Sequence, residues 1–387
     1  MQQLWCSEGY NRVDKVIPGG TWYREAMAWH FQNVQNPGEQ QHIEKGECFM
    51  QSNETTLDKP VRWGVLSAAN IGVKRVAPAI SASSNGRLVA VGSRNPAQAR
   101  KLFTFAPDVL IYEDYDSVIN DPEIEALYIP LPNSLHAEWT IKALKAGKHV
   151  LCEKPLAITA EEGLTMAQSA RDTGMLLMEA FMYRFHPQTV WALEQVAEGR
   201  IGQVKLVRSS FSFNVSSRPH DIRLQAALAG GSLMDVGCYP INLCRAVYGR
   251  APVAVGARVY IPANGEVECY ASAVIDFDDG CFGLIDSSFE LPTRQVSEII
   301  GEAGTITIPL PFTPGHIETV VILTLEGQTI HQRFAPVDQY RLEVEHFAAC
   351  IRYGNQLPLS LEETIENLAT IEAIYQSAGY SWPFNAL

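Results

Sequence analysis

The fold is decided by the stretch Val61-Arg-Trp-Gly-Val-Leu66, followed at once by Ser67-Ala-Ala-Asn-Ile-Gly72. The first six residues form a short apolar run of strand length, and from Ile71 to Ser81 the apolar positions take helical spacing. A strand that passes through a tight turn of small residues into a helix opens a dinucleotide-binding unit. In such a unit, glycines let the chain turn sharply and let backbone N–H groups meet a pyrophosphate. Against the pattern G-x-G-x-x-G the three key positions are Ser67, Ala69 and Gly72, so small residues replace two of the three glycines. Taken alone, an ordinary βα turn reads the same way, and the flanking sequence has to decide.

That sequence alternates. Arg87–Gly92 reads as a second strand, Pro96–Phe105 as a helix with proline in its first turn, and Tyr115–Asn120 as a short helix. Ala126–Pro130 is a strand, His136–Ala146 a helix closed by Gly147, and His149–Cys152 a strand. Ala160–Thr173 is a helix ending at Gly174, and Met175–Met178 another strand. Strands alternating with helices imply a parallel sheet with right-handed crossovers. After about residue 185 the pattern turns β-rich. Val204–Phe213 and Ala254–Ile261 are long β runs. Glu266–Phe277 and Cys281–Phe289 form a hairpin across Asp278-Asp279-Gly280, and Val320–Leu325 and Gln328–Phe334 form another across Glu326-Gly327. Helices are expected at Leu342–Tyr353 and at Leu361–Ser377, the latter opened by the capping-box spacing Ser360-Leu-Glu-Glu. The expected fold class is α/β. An N-terminal Rossmann domain spans 59–182 and a C-terminal α+β domain with a large, mostly antiparallel sheet spans 183–360. The last helix, about 361–378, packs back on the first domain.

Composition bounds the function. The chain has 387 residues, a formal net charge of −13 and 47% hydrophobic residues, enough for two domains with real cores. The acidic balance argues against nucleic acid and against anionic lipid as partners. No run of about 18 apolar residues occurs, and the N-terminus lacks a basic segment followed by an apolar one, so neither a spanning helix nor a signal peptide is expected. The 8 cysteines are scattered without a C-x-x-C pair, which suits reduced thiols in the cytoplasm. Cys238 and Cys244 lack the further ligands of a zinc site, so no metal is expected. Residues 1–58 carry Trp5, Trp22 and Trp29 but no sustained period. They read as a flexible or loosely docked extension, as an overlong start ahead of Met50, or as an arm on a partner subunit, with the first two readings preferred together.

Three further motifs carry chemistry. The second strand ends Gly92-Ser93-Arg94-Asn95, where a carboxylate would bind the ribose 2′-hydroxyl of NAD. A hydroxyl and a guanidinium suit a 2′-phosphate instead, which favours NADP over NAD. Cys152-Glu153-Lys154-Pro155 follows a parallel strand, whose C-terminal end opens on the ligand crevice. Gly230-Gly231-Ser232-Leu233-Met234-Asp235-Val236-Gly237-Cys238-Tyr239-Pro240 places Asp235 one helical turn before Tyr239. Each residue has a plainer reading: Tyr239 as a core tyrosine, Asp235 as a helix cap, Lys154 as a surface lysine. Their joint occurrence in this order favours the functional one.

Together with Leu131-Pro132-Asn133-Ser134-Leu135-His136 and Glu179-Ala-Phe-Met-Tyr-Arg-Phe-His186-Pro187, these motifs resemble the Gfo/Idh/MocA oxidoreductases, from about Val61 to Pro383. Within them the chain is similar to the branch of NADP-dependent D-xylose dehydrogenases and dimeric dihydrodiol dehydrogenases. The resemblance implies that Lys154 sits beside the nicotinamide and the reacting carbon. It implies that Tyr239 accepts a proton in oxidation and donates it in reduction. Asp235 would orient Tyr239 or bind a substrate hydroxyl. A cation within hydrogen-bond range of the phenol would lower its pKa from near 10, and Lys154 is that cation. The implied cofactor contacts are Ser67, Ala69, Asn70, Ile71, Ser93, Arg94, Leu131, Asn133, Glu153 and Lys154. His136 either joins them or caps its own helix. Arg223, Asp235 and Tyr239 would meet substrate, a sugar or cyclic diol, and Asp221 lies on the same segment. Arg184 is open between ion pair and ligand contact, and His149 and His186 are structural. The implied assembly is a homodimer or homotetramer, built on the exposed face of the second sheet.

Overall fold

The computed structural model describes residues 59–380; the reading of residues 1–58 lies outside them. The first sheet has the strand order β3-β2-β1-β4-β5-β6, all parallel, the arrangement of a dinucleotide-binding domain. Its strands are β1 Val61–Leu66, β2 Gly86–Gly92, β3 Leu110–Tyr112, β4 Ala126–Ile129, β5 His149–Cys152 and β6 Leu177–Glu179. The expected strands all form; β3, only three residues long, escapes a sequence pattern. The helix expected from Ile71 begins as a π-turn, Gly72–Val76, and continues as α1, Ala77–Ala82. Then come α2 Pro96–Leu102, α3 Tyr115–Asn120, α4 His136–Lys145 and α5 Ala160–Thr173. Side-chain caps and a glycine bound two of them. Asn95 caps α2 by accepting from Gln98 N at 3.1 Å, and Thr159 caps α5 by accepting from Glu162 N at 3.1 Å. Gly174 closes α5 at φ +69°, where a side chain would be strained.

The second sheet adds β7 Val204–Ser212, β8 Ala254–Tyr260, β9 Tyr270–Asp276, β10 Phe282–Ser288, β11 Arg294–Gly301, β12 Gly304–Ile308, β13 Thr319–Leu325 and β14 Gln328–Phe334; it runs β14-β13-β12-β11-β7-β10-β9-β8, antiparallel except for the β7/β10 pair. Its central strand is β7, Val204–Ser212, and both expected hairpins are present as β9/β10 and β13/β14. Sequence reading passed over β11 Arg294–Gly301 and β12 Gly304–Ile308, and over α6 Pro187–Ala197. One face of the sheet is covered by α7, Cys238–Tyr248: a Cβ on Gly283 would lie 3.0 Å from Cys244 Sγ. On the other face Tyr270, Val274 and Phe282 stand exposed beside the ion pairs Arg208–Glu298 and Arg294–Asp286.

The domain boundary at 360 is displaced for one helix. Helix α8, Gln339–Tyr353, belongs by sequence to the second domain but packs on the Rossmann sheet, with Phe347 5.7 Å from Trp63 between ring centroids. Its Arg352 donates to both carboxylate oxygens of Glu125 at 2.9 and 2.8 Å. The sequence could not show this, because an amphipathic stripe states that a face is buried, not against what. Helix α9, Leu361–Ser377, packs against both domains: a Cβ on Gly163 of α5 would lie 2.9 Å from Leu368 Cδ1, and Ser377 Oγ accepts from Ala257 N of β8 at 3.1 Å.

Candidate functional site

The site gathers where the C-terminal ends of β1, β4 and β5 face the second domain. Ser67, at the first glycine position of the turn, holds φ +115°, a conformation that favours glycine. Its hydroxyl compensates by accepting from Ala69 N at 3.2 Å. Ala69 takes the second position, and Ala69 O accepts from Val73 N at 3.0 Å as the helix begins. Gly72 is closely packed: a Cβ there would lie 3.3 Å from Pro130 Cγ, and the proline ring would have to give way slightly. Asn70 is exposed and Ile71 half-buried, so backbone and small side chains line this helix N-terminus as an anionic ligand requires. At the end of β2, Ser93 Oγ accepts from Asn95 N at 3.2 Å, and exposed Arg94 interacts with Tyr115, which packs edge-on against Trp139 at 5.0 Å. A guanidinium thus stands where a NAD site carries a carboxylate.

Four expected cofactor residues form the floor between β4 and β5. Asn133 Nδ2 donates to Ala229 O at 2.8 Å, a bond from the first domain to the second. His136 is wholly buried, with Nδ1 2.8 Å from Pro155 O and Nε2 2.8 Å from Leu131 O. Its ring has no surface left for a cofactor, and burial lowers its pKa; it ties the 131–136 loop to the Lys154-Pro155 turn instead of contacting the nicotinamide side. Glu153 Oε1 accepts from Tyr128 OH at 2.5 Å, and burial raises the Glu153 carboxyl against the opposing pull of Lys154.

Lys154 is the centre of the site. Its ammonium donates to Asp235 Oδ1 at 2.9 Å and to Asp235 O at 2.7 Å. Burial works against the charge, but the Asp235 carboxylate, with smaller contributions from Cys238 and Glu153, outweighs it and holds the lysine above its ordinary pKa. Burial likewise opposes ionisation of Asp235, yet Lys154 and Arg223 together keep its carboxyl well below the usual range. The structure corrects two expectations here. Lys154 is not bonded to the Tyr239 hydroxyl; its Nζ lies 5.2 Å from the Tyr239 ring centroid, because an ionised carboxylate is the stronger acceptor. Asp235 neither caps a helix nor orients Tyr239: Oδ1 serves Lys154, and Oδ2 accepts from Arg223 Nε at 2.6 Å.

Tyr239 is 4% exposed and donates to Met182 Sδ at 3.6 Å. Phe181, Tyr183, Phe211 and Phe312 surround its ring at centroid distances of 5.2 to 5.9 Å. Burial in this aromatic shell pushes the phenol well above its ordinary value, opposite to the expected shift. The shell arises from sequence-distant segments and gives no local pattern to read.

The remaining candidates sort cleanly. Arg184 pairs with Glu363 at 2.7 Å and with Asn242, a structural ion pair. His186 caps α6 by accepting from Gln188 N at 3.1 Å, and burial lowers its pKa to about 4. His149 accepts from Leu176 N at 3.0 Å. Sequence reading missed Glu268. It is wholly buried, accepts from Leu233 N at 2.6 Å and anchors the π-turn Leu233–Gly237 that carries Asp235. Gly231 is the signal that could have found it: φ is +115°, and a Cβ would lie 2.3 Å from Glu268 Oε2. Among the described residues, Cys152, Cys238, Cys244, Cys269, Cys281 and Cys350 are free thiols, and no His/Cys/Asp/Glu cluster could hold a metal. No helix among them is long and apolar enough to cross a membrane.

Comparison with known proteins matches residues 61–181 to the model of the oxidoreductase family with an NAD-binding Rossmann fold, GFO_IDH_MocA, and residues 190–307 to the GFO/IDH/MocA C-terminal domain. D-xylose 1-dehydrogenase (NADP(+)) 2 of Haloferax volcanii is 38% identical over 318 residues, 82% of this chain and 97% of that protein. Trans-1,2-dihydrobenzene-1,2-diol dehydrogenase of Sus scrofa is 28% identical over 342 residues, 84% of this chain and 98% of that protein. KijD10, a 3-ketoreductase from Actinomadura kijaniata solved with NADP and TDP-benzene, superposes with a TM-score of 0.77 at 29% identity, covering 82% of this chain and 98% of that one. The Rossmann order, the Lys154–Asp235 pair at the strand ends and these matches over most of the chain agree, and the chain belongs to the Gfo/Idh/MocA oxidoreductase family.

Proposed function

We propose that this chain is an NADP-dependent oxidoreductase that oxidises an aldose at C1 to its lactone, with D-xylose the leading substrate. The observation that carries the reading is the Lys154–Asp235 pair, bonded at 2.9 Å where the Rossmann strands open on the second domain. The NADP-linked D-xylose dehydrogenase similar over 82% of the chain supports the substrate class. The strained Ser67 turn and the helix N-terminus beyond it would hold the pyrophosphate, with Ala69, Asn70, Ile71, Leu131 and Asn133 alongside, and Arg94 with Ser93 the 2′-phosphate. When bound, the nicotinamide accepts the hydride that the sugar carbon loses. Lys154 uses two of its N–H groups on Asp235, which leaves one to donate to the substrate oxygen and stabilise the charge that develops there. Tyr239 moves the proton. Burial keeps it protonated, as the reductive direction requires. In oxidation it must first ionise to accept the substrate proton, and the Lys154 ammonium, 5.2 Å from its ring centroid, favours that phenolate.

A second reading, oxidation of a cyclic trans-diol, draws on the aromatic shell around Tyr239 and on the 28% identical diol dehydrogenase. A non-catalytic NADP sensor is the reading from another class, and a site that retains Lys154, Asp235 and Tyr239 argues against it. We also propose a cytoplasmic homodimer formed on the exposed sheet face around Tyr270 and Val274; a stable monomer in light scattering would exclude the dimer. The deciding test is nicotinamide absorbance with NADP or NAD against aldoses and cyclic diols. Rapid NADP reduction with pentoses is expected. Turnover of diols alone would favour the second reading, and NADPH binding with no turnover the sensor.

A further inference from the structure

We propose that Arg223 is a positioning residue for catalysis: it fixes the Asp235 carboxylate from the side opposite Lys154 and so sets the lysine's place in the cleft. The proposal rests on the role given to Lys154 above. Arg223 lies in the short 3-10 turn Ile222–Leu224, and three features fix it there. Asp221 caps the turn by accepting from Arg223 N at 3.1 Å. The Arg223 carbonyl accepts from Gly231 N at 2.8 Å, and a Cβ on Gly230 would lie 2.3 Å from that carbonyl oxygen, so this close approach demands glycine. The Phe213 ring lies 5.8 Å from the guanidinium carbon. The Gly-Gly pair therefore seats an arginine, in addition to opening the turn that carries Asp235.

The side chain uses what that seat provides. Nε donates to Asp235 Oδ2 at 2.6 Å, and Nη1 to Asp221 Oδ1 at 3.2 Å. Arg218 Nη1 lies 3.0 Å from Asp221 Oδ2, so charges alternate from the surface inward: Arg218, Asp221, Arg223, Asp235, Lys154. Glu153, Cys238 and Tyr239 also face Asp235, and burial raises all three, which favours their neutral forms. The ionised Asp235 thus answers to two cations. With Arg223 gone, Oδ2 loses its anchor, the carboxylate is free to turn, and the full negative charge falls on the Lys154 ammonium. The lysine then presents less positive field to a substrate oxygen.

The test uses the full chain with Arg223→Gln and Arg223→Lys. In the Gln variant kcat is expected to fall about 10- to 100-fold, the size of one hydrogen bond to a charged group. KM and NADPH affinity should stay within about 3-fold, since the loss lies in the transition state alone. An acid limb, absent from the native profile because Asp235 there ionises far below the assay range, should enter kcat/KM, because Asp235 has lost one of the cations that keep it ionised. Lysine, a point charge able to reach the carboxylate, should restore part of kcat. A raised KM with kcat intact would make Arg223 a substrate contact and overturn the proposal, and so would an unmoved pH profile. A second readout needs no substrate: urea midpoints of Arg223→Gln, Asp235→Asn and the double variant. Non-additive midpoints support the coupling and additive ones refute it. An enzyme silent toward every sugar and diol would refute the proposed function, while this cycle still decides whether Arg223 holds Asp235.

Discussion

Asp235→Asn tests the charge balance of the site, because it keeps the side chain's shape and removes its charge. The pair is separated by 2.9 Å, with 11% and 16% of the two side chains exposed. At an effective dielectric constant of about 20, unit charges at that distance attract by about 6 kcal/mol. That attraction is the main one of those that together overcome the burial of Lys154 and keep its pKa above the ordinary value. The main-chain carbonyl of Asp235, 2.7 Å from the ammonium, survives the substitution and retains part of the interaction. Roughly half the Coulomb term, about 3 kcal/mol, is then the expected loss, equivalent to about two pH units in the lysine at 1.36 kcal/mol per unit. The sign follows from the direction of the shift. In the native site the ammonium persists through the alkaline range. In the variant, burial and Arg223 both oppose it, and the proton leaves at lower pH. The assay is kcat/KM for NADP reduction from pH 6 to 10, with NADPH titration and thermal melts to establish that the variant folds. An alkaline limb absent from the native profile is expected, with the loss of activity smallest near neutral pH, where the ammonium still holds its proton, and growing as pH rises. A folded variant whose profile superposes on the native one would refute the argument that Asp235 keeps Lys154 charged.

Three further outcomes follow from the geometry. Tyr239→Phe removes only the hydroxyl that reaches Met182 and leaves the aromatic shell intact, so it should fold normally, bind NADPH normally and lose kcat by about 100-fold or more. Native turnover would remove Tyr239 from the proton path. Arg94→Ala should weaken NADPH about 10- to 100-fold in fluorescence titration while NADH changes less than about 2-fold; equal losses would displace the 2′-phosphate from this strand end. Glu268 is a buried carboxyl raised by desolvation to about 8. A raised folded pKa contributes stability that is whole below the ordinary carboxylate range and is lost as pH rises through about 8, by up to about 1.4 kcal/mol per pH unit. Urea melts from pH 5 to 9 should therefore be flatter for Glu268→Gln than for the native chain, and parallel curves would show that Glu268 does not titrate with folding.

What the sequence disclosed and what it hid divide along physical lines. The Rossmann half was legible because its signals are local: apolar runs of strand length, Pro96 in the first turn of one helix, Gly174 closing another. The second sheet was read through its turns, and the strands missed, Arg294–Gly301 and Gly304–Ile308, meet at Glu302-Ala303, where the two glycines, Gly301 and Gly304, belong to the strand ends and the turn itself carries neither Gly nor Pro, Asn, Asp or Ser. Helix Gln339–Tyr353 was found approximately, though not its packing against Trp63, because the pairing of two apolar faces is a long-range fact. The site shows the same division. Lys154, Asp235 and Tyr239 were legible as motifs, but the partner each chooses was not. Spacing in sequence put Asp235 with Tyr239, whereas in space the carboxylate takes the two strongest donors within reach, an ammonium and a guanidinium, and leaves the phenol to a thioether. A motif thus brings groups to one place, and their hydrogen-bond strengths then decide the pairs. For this reason the variants that change charge and keep shape, at Asp235 and Arg223, discriminate between mechanisms better than truncation of Tyr239 does.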